Sequence, residues 1–534
     1  MKNSVIVVGA GGAGLVAALS ANEHGAKVTV ITKEYPTRSQ TCMAQGGINA
    51  ALGNAGEDSV NAHIQNTLKS AHGLAKESTV EFLCQSAPEA LAWLDGIGVP
   101  FSRTKEGKIA QRKLGGASAA RACYAQDYTG LKILHTLYDR CVAAGIEFLN
   151  ERHLLDLLTH SDTNKTYVSG VLVLNKRSGE VEVHESSSVI LATGGYGRVF
   201  HTHSTNSVAS SGDGMAAAFR AGAVLSDLEF IQFHPTAMKN SSILISESAR
   251  GAGGHLLNSK GERFTNELAP RDEVARAIHE EMLRGENVFL DIRHLGKEFI
   301  EHELPQEAKL AKLYEGVDPI YELIPIKPSA HYTMGGILVD TNAQTNITGL
   351  FAVGECANQR VHGANRLGGN SLLELVVFGK KAGESAAYHA KEAIQFANSS
   401  NQKEFWEAKI KEIKNYTNEI NFYQTHEELG EIFYKSVGIL REVNSMQEAV
   451  AKVKEMQSRL SKMGVSDKAK EYNTNLTEFL EFANMLELSE LILLCALERK
   501  ESRGAHFRVD APQSEARFEA NSLISKDGAV RYEN

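Results

Sequence analysis

The N-terminal segment alternates apolar runs with one glycine-rich turn. Residues 4–8 form a short apolar run, the sequence GAGGAG follows at 9–14, and helical periodicity continues to about His24. A second apolar run occupies 27–31. Short apolar runs on both sides of a helix predict two buried strands, so this segment predicts a β-α-β unit.

The glycine spacing predicts that the turn binds a dinucleotide. Gly9 permits the tight turn, Gly11 lets the backbone approach a pyrophosphate, and Gly14 allows close packing of the helix on the strand. The helix N-terminus offers free N–H groups and the positive end of its dipole to the phosphates. The acid that often binds the ribose is missing, because residues 32–34 read TKE.

Farther along, helical and strand-like periodicity alternate. Helical patterns are strongest in two segments, and three strand-like runs follow: 58–71 and 129–144, then 147–149, 167–174 and 181–191. Dense polar motifs interrupt the pattern between 226 and 334, which indicates an inserted domain. A strand ending in Gly-Glu returns at 347–355, and after about residue 400 the chain is Lys/Glu-rich and helical.

Length and composition limit the classes of protein to consider. A chain of 534 residues is longer than one core usually supports, so two or three structural units are expected. The net charge of -9 argues against a nucleic-acid partner. The six cysteines show no spacing that would hold zinc or an iron–sulfur cluster, so no metal site is predicted. Lacking an export signal and an apolar stretch of about 18 residues, the chain is expected to be cytoplasmic.

Five polar motifs occur in order along the chain. They read LEFIQFHPT (228–236), SESARGAGG (246–254), APRDEVAR (269–276), HYTMGG (331–336) and HGANRLGGNSLLEL (362–375). Together they resemble the flavoprotein subunits of succinate dehydrogenases and fumarate reductases. The resemblance runs from residue 4 to about 385 and resumes weakly at 501–506.

This resemblance implies an α/β fold: a Rossmann-like FAD-binding domain with an inserted α+β capping domain and a C-terminal helical domain. The FAD-binding domain would comprise 1–225 and 335–395, the capping domain 226–334, and the helical domain 396–534. The implied activity is FAD-dependent interconversion of fumarate and succinate.

A four-carbon dicarboxylate needs cationic and hydroxyl donors at both ends. His234, Ser246, His331 and Arg366 supply that chemistry, and the resemblance implies that they bind the two carboxylates. It assigns proton delivery to Arg271, with a relay through Glu247 and Arg250. A free arginine is a very poor acid, since its pKa exceeds about 12, so this role requires a buried, charge-crowded arginine.

The resemblance also implies a set of cofactor-binding residues. They are Gly9, Gly11, Gly14, Thr32, Lys33, Ser39, Gln40, Thr41, Ala44, Gln45, Gly46, Gly47, Asp213, Glu355, Arg366, Ser371 and Leu372. Most membrane-bound relatives carry a histidine, covalently linked to the flavin, at the position of Gln40. A carboxamide has no nucleophilic imidazole nitrogen, so FAD is predicted to bind non-covalently. In the family, loss of this linkage weakens succinate oxidation more than fumarate reduction, which favours fumarate reductase.

Three alternatives remain at this point. L-Aspartate oxidase shares the fold and many motifs, the same chain could act as a succinate dehydrogenase, and a non-catalytic flavin-binding subunit is a third candidate. The chain carries no iron–sulfur ligand pattern, so the resemblance implies an iron–sulfur partner subunit. A membrane anchor, or a quinone- or thiol-reactive subunit, could complete the assembly and hold the chain at a membrane. The substitutions Leu114 and Ala252 depart from the family pattern.

Overall fold

A computed structural model describes residues 3–162, 165–393 and 401–533 of the chain. Within these ranges the strands are β1 Ser4–Val8, β2 Lys27–Thr32, β3 Ile48–Asn49, β4 Gln111–Arg112, β5 Ala122–Cys123, β6 Glu147–Asn150, β7 Arg152–Ser161, β8 Thr166–Asn175, β9 Val181–Glu185, β10 Val189–Leu191, β11 Leu225–Ser226, β12 Ile231–Met238, β13 His255–Asn258, β14 Val288–Asp291, β15 Ile324–Thr333, β16 Gly336–Leu338, β17 Leu350–Ala352, β18 Ala357–Asn358, β19 Asn521–Ile524 and β20 Val530–Glu533.

The α-helices in the same ranges are α1 Gly12–Glu23, α2 Val60–Ser70, α3 Glu77–Gly96, α4 Thr129–Ala143, α5 Asp213–Ala221, α6 Glu247–Gly251, α7 Arg271–Leu283, α8 Lys297–Glu303, α9 Pro305–Tyr314, α10 Asn370–Glu392, α11 Asn401–Lys414, α12 Phe422–Ser436, α13 Val443–Ser458 and α14 Thr474–Glu498. Within the described residues, none of these helices combines the length and apolar character that crossing a bilayer requires.

A parallel sheet of order β17-β10-β1-β2-β6 forms the centre of the FAD-binding domain. All of β1 is buried, as expected for a central strand covered on both faces. Helix α1 packs tightly against α10 at Gly383. A Cβ at this position would lie only 2.3 Å from the carbonyl oxygen of Ala17, so the contact requires glycine. The predicted β-α-β unit and its Rossmann-like setting are confirmed.

The inserted segment has its own sheet and its own core. Its strands pair antiparallel in the order β12-β15-β14-β13, and helices α7 to α9 belong to the same segment. A separate apolar cluster that includes Leu256, Val274, Ile278 and Ile324 is fully buried there. This is the predicted α+β capping domain, while its limits at 226 and 334 stay a prediction.

The C-terminal region is helical, as predicted, and it also contains a hairpin that the sequence analysis missed. Helices α11 to α14 come first, and strands β19 and β20 then pair with each other. Strand β19 also pairs with β11, so the C-terminus joins a sheet next to the FAD-binding domain. The predicted boundary at 395/396 lies outside the described residues.

The interpretation of 181–191 as one strand was wrong. The chain forms β9 and β10 with a break at 186–188, where the Ser186 hydroxyl donates to the carbonyl oxygens of Ser4 and Ser188 at 2.9 Å each. Strand β7, which had not been predicted, pairs antiparallel with β8. A polar side chain that binds nearby carbonyls competes with sheet pairing, and apolar periodicity does not reveal this.

Candidate active site and cofactor cleft

One cavity is lined by nearly all the predicted site residues. They are Gly9, Gly11, Thr32, Lys33, Ser39, Gln40, Thr41, Ala44, Gln45, Gly46, Gly47, Asp213, His234, Ser246, Glu247, Arg271, His331, Glu355, Arg366, Ser371 and Leu372. Gly14 and Arg250 lie behind this wall and support it. The cavity therefore brings the predicted cofactor and substrate residues into one continuous cleft.

The glycine turn between β1 and α1 is tightly constrained. Gly9 has φ +110, and a Cβ there would lie 2.2 Å from the carbonyl oxygen of Ala192. A Cβ on Gly14 would lie 2.0 Å from the carbonyl oxygen of Gly9. At Gly11 the nearest atom to a Cβ would be the Thr41 hydroxyl at 3.5 Å, so a side chain would fit the protein but would enter the cavity. The first and third glycines shape the turn, and the second leaves room for a ligand.

A buried ionic network lies where β2 ends. Lys33 Nζ donates to the carboxylates of Asp213 at 2.6 Å and Glu481 at 2.7 Å, and to the Ser211 hydroxyl. Burial works against these charges, but the two carboxylates raise the pKa of Lys33, and Lys33 lowers the pKa of Asp213 despite its burial. Lys33 and Asp213 line the cavity already paired, and Glu481 ties them to α14.

Gln40 is fixed by a backbone contact. Its carboxamide oxygen accepts a hydrogen bond from the N–H of Ser207 at 2.6 Å. The neighbouring Thr41 hydroxyl accepts from the N–H of Gly12 at 3.0 Å, which ties this loop to the start of α1. Gln40 therefore lines the cavity in a defined position.

Several buried polar atoms along the cleft have no hydrogen-bond partner within the described residues. They are the hydroxyl oxygen of Ser39 and both side-chain amide atoms of Gln45. Buried polar groups are normally hydrogen-bonded, so these atoms are suited to a polar ligand. A ligand with phosphates, hydroxyls and a ring rich in nitrogen and oxygen, as FAD has, fits this donor set.

The loop that carries Gln45 and Gly46 is held from behind by Arg112. Its guanidinium donates to the carbonyl oxygen of Gly46 at 2.9 Å and to that of Gln45 at 2.8 Å. Gly47 has φ +127, and a Cβ there would lie 2.8 Å from the carbonyl oxygen of Cys123. At Gly46 and Gly47 the loop thus presents backbone to the cavity, next to the side chain of Gln45.

At the other end of the cleft, Arg271 and Glu247 form a buried ion pair. Glu247 Oε2 accepts from Arg271 Nε at 3.0 Å and from Nη2 at 2.5 Å, and its Oε1 accepts from the N–H of Gly115 at 2.7 Å. Arg250 Nη2 lies 3.7 Å from the same carboxylate. Burial opposes ionisation, but the two guanidiniums lower the pKa of Glu247. The three predicted relay residues are therefore contiguous.

Gln232 joins two arginines at this end. Its Oε1 accepts from Arg271 Nη1 at 3.0 Å and from Arg366 Nη2 at 2.9 Å. Arg366 also lies over the ring of Tyr332, 4.3 Å from the centroid. Burial and the charge of Arg271 lower the pKa of Arg366 to about 10. Two guanidiniums crowded in a buried site favour an anionic ligand.

His234 and His331 face each other with ring centroids 4.9 Å apart. The Thr205 hydroxyl lies 2.8 Å from His331 Nδ1 and fixes that ring. Burial, followed by the charge of Arg271, lowers the pKa of both imidazoles well below the ordinary value. Both rings are therefore neutral at pH 7 and offer hydrogen bonds without adding charge.

Two further predicted residues are held by short local contacts. Ser246 is the N-cap of α6, and its hydroxyl accepts from the N–H of Ser248 at 3.1 Å. Glu355 accepts from the N–H of Thr333 at 2.9 Å, and burial raises the pKa of Glu355 to about 7. Ser246 is thus both a capping residue and part of the cavity wall.

Gln232, Tyr332 and Thr205 contribute to the site, although the sequence analysis did not select them. Gln232 and Tyr332 stand inside motifs that were recognised, so their place beside His234 and His331 was an available signal. Thr205 lies in no recognised motif. Its role follows only from the contact with His331 across 126 positions of sequence.

Two family descriptions match the chain. "FAD binding domain" matches residues 4–372, and "Fumarate reductase flavoprotein C-term" matches residues 426–533. The first covers more than half of the chain and includes both the glycine turn and the arginine cluster. FAD is therefore the cofactor, in agreement with the cleft's unpartnered polar atoms.

Individual relatives extend over almost the whole chain. A succinate dehydrogenase flavoprotein subunit from Rickettsia felis is 39% identical and aligns with 99% of this chain and 94% of its own length. An 8-methylmenaquinol:fumarate reductase flavoprotein subunit from Wolinella succinogenes is also 39% identical, with 98% and 88% aligned. A solved E. coli quinol fumarate reductase mutant superposes with TM-score 0.94 at 36% identity, covering 100% and 96% of the two chains. The chain belongs to the family of succinate dehydrogenase and fumarate reductase flavoprotein subunits.

Proposed function

We propose that this chain interconverts fumarate and succinate and acts mainly as a fumarate reductase. The observation that carries this proposal is the cluster at the substrate end of the cleft. There two arginines converge on Gln232, and one of them is paired with buried Glu247 beside two neutral histidines. Such a cluster suits a small dianion next to the cofactor.

FAD, when bound in the cleft, would supply from its N5 atom the hydride that reduces the alkene. The backbone at Gly11 and Gly46 and the unpartnered polar atoms of Ser39 and Gln45 would hold this group. Arg112 keeps the 45–46 loop in place from behind.

The substrate's carboxylates are proposed to bind His234, Ser246, His331 and Arg366. The neutral imidazoles would each donate one N–H, while Arg366 would supply the charge that balances one carboxylate. Holding one carboxylate twisted out of the alkene plane would make the double bond more electrophilic.

Arg271 is proposed to deliver the proton to the other carbon. This residue is only 7% exposed, lines the cavity and shares Gln232 Oε1 with Arg366. The proton lost by Arg271 would be replaced through Glu247 and then Arg250, which lies 3.7 Å beyond it.

L-Aspartate oxidation is the competing activity, and a direct assay separates the two. Purified protein is expected to reduce fumarate with reduced viologen and to leave L-aspartate unoxidised by oxygen. Oxidation of L-aspartate without reduction of fumarate would reject the proposed fumarate reductase activity. Assaying succinate oxidation in the same preparation sets the preferred direction.

FAD is proposed to be held without a covalent bond, because a carboxamide occupies position 40. Precipitating the protein with acid should leave the flavin in the supernatant. Flavin that remains with the polypeptide would contradict this proposal.

Electrons are proposed to pass through an iron–sulfur partner subunit. The solved relative superposed above is a quinol fumarate reductase, and the Wolinella relative is named for a quinol. Attachment to a cytoplasmic membrane surface through such partners is part of the proposal. Co-purification of an iron-containing subunit from the native organism would test it.

A further inference from the structure

We propose that Asp127 and Glu307 share one proton, and that this carboxyl pair positions α6 and its relay residues against the FAD-binding domain. The inference rests on the proposed function, because it assigns positioning residues to the proposed proton relay of Glu247 and Arg250. Neither Asp127 nor Glu307 lines the cavity itself.

The carboxyl pair lies at the contact between two domains. Asp127 precedes α4 in the FAD-binding domain, and Glu307 is in the first turn of α9 in the capping domain. Asp127 Oδ2 accepts from the N–H groups of Gln306 at 2.7 Å and Glu307 at 3.1 Å. It thereby caps α9 from the other domain, and both carboxyl side chains are fully buried.

Each member of the pair has one oxygen without a partner. Asp127 Oδ1 and Glu307 Oε2 are inaccessible to solvent and accept no hydrogen bond within the described residues. Two ionised carboxylates can only accept, so they cannot satisfy each other. A proton shared by the two carboxyl groups would give this contact one donor for its two unpartnered acceptors.

Burial and the closeness of two acids favour a shared proton, whereas the charge of Arg112 opposes it. Arg112, Tyr128 and Tyr124 lie in the same interface, and Glu303 adds a further acid. The hydrogen bonds of Arg112 go to backbone carbonyls. Burial, and then the charge of Asp127, raises the pKa of Glu307 well above its ordinary value, and burial raises the pKa of Asp127 to about 6. Burial therefore favours retention of a proton at this pair.

The pair connects directly to the relay helix. Glu307 Oε1 accepts from the N–H of Ser246 at 2.9 Å, and the Ser246 hydroxyl caps α6. Helix α6 carries Glu247 and Arg250. A displacement of Glu307 would therefore move the start of this helix, and with it the carboxylate that Arg271 contacts.

The direction of the pH effect follows from the raised pKa values. A carboxyl group whose pKa is raised by folding stabilises the folded state when it is protonated, and this contribution is lost as pH rises through the folded-state pKa. For the pair, that loss lies on the alkaline side of about pH 6, because Glu307 holds its proton more strongly than Asp127. Above it, two buried negative charges repel across the domain contact.

The test compares Glu307→Gln, Glu307→Ala and the control Glu301→Gln, which changes an exposed acid in the same domain. The kcat and KM for fumarate are measured on FAD-loaded protein between about pH 6 and about pH 10. Glutamine keeps an oxygen for Ser246 and gives Asp127 a permanent N–H donor. We expect kcat within about twofold of wild type at pH 7 and an alkaline decline shifted up by about one pH unit or more. Alanine should lower kcat about tenfold at every pH, or about 1.4 kcal/mol.

Thermal unfolding provides a readout that needs no substrate. The stability of Glu307→Gln relative to wild type should increase as pH rises, whereas Glu301→Gln should show no such trend. If the stability of Glu307→Gln and its kcat both depend on pH as they do in the wild type, the shared proton is rejected. Wild-type kcat in Glu307→Ala would reject the positioning role. If the wild-type chain reduces no fumarate, the proposed function is rejected. The thermal unfolding measurements then still test the shared proton.

Discussion

At the nucleotide end of the cleft, the cavity is lined by runs of consecutive residues that include several glycines, such as those around Gly11. At the substrate end they are charged and aromatic side chains from three distant segments, represented by His234, Arg271 and Arg366. The first end is shaped by glycines that leave room beside the backbone, whereas the second depends on buried charged side chains that contact one another.

This difference predicts how each end responds to substitution. A backbone cradle fails when a Cβ is added, but it does not depend on distant partners. A buried charge cluster fails when one member is removed, because the remaining charges are left unpaired in a medium that solvates them poorly. Lys33 belongs to a buried charge cluster at the nucleotide end, so its removal should also leave buried charges unpaired.

The largest effect is expected for Arg271→Gln. Removing the proposed proton donor should lower fumarate reduction by at least about 10³-fold, since general acid catalysis and anion binding are lost together. FAD content should stay close to wild type, because Arg271 belongs to the substrate end. Steady-state assays with reduced viologen and a flavin absorbance spectrum measure both quantities.

The control for that prediction is Arg293→Gln, a surface arginine that pairs with Asp291. It should change the rate by less than about twofold. Full fumarate reduction by Arg271→Gln would refute the assignment of proton delivery.

Lys33→Met tests the charge network at the nucleotide end. It leaves Asp213 and Glu481 buried without their cation, which should reduce the free energy of unfolding by about 3–5 kcal/mol. Urea unfolding followed by far-UV circular dichroism measures the change. Lys403→Met removes an exposed lysine of the 3.7 Å pair with Glu407 and should cost less than about 1 kcal/mol.

The glycine turn offers a matched pair of substitutions. Gly14→Ala places a Cβ 2.0 Å from the carbonyl oxygen of Gly9 and should destabilise the chain even without FAD. Gly11→Ala meets no protein atom closer than 3.5 Å, so it should leave the FAD-free stability unchanged while weakening FAD binding about tenfold, or about 1.4 kcal/mol. Flavin fluorescence titration and thermal unfolding distinguish them. Equal effects on stability would contradict the separate roles of the two glycines.

The smallest effect is expected for Gln40→His. It removes the hydrogen bond from Ser207, worth about 0.5–1.5 kcal/mol, and changes FAD affinity by about two- to tenfold. If the new imidazole becomes linked to the flavin, succinate oxidation should rise relative to fumarate reduction. Assays in both directions, with acid precipitation of each protein, measure this. If the flavin becomes linked but the ratio of succinate oxidation to fumarate reduction stays unchanged, covalent attachment does not set the preferred direction.

Much of the site could be predicted from the sequence because its motifs are short and local. The turn at 9–14 and the segments bearing His234, Glu247 and Arg271 each specify a residue type at fixed spacing. The interpretation of 181–191 failed for the opposite reason. The Ser186 hydroxyl breaks the strand by binding carbonyl oxygens of residues that include distant Ser4.

By itself, the sequence determined the class of fold, the glycine turn and the set of groups available for chemistry, because these follow from local periodicity and residue type. Only the tertiary structure decided which of those groups meet. It placed Gln232 between Arg271 and Arg366, paired Lys33 with Glu481 of α14, and set Glu307 behind Ser246. These contacts join residues that are far apart in the chain, and burial makes their partners essential, since an unpaired charge or polar group is costly away from water.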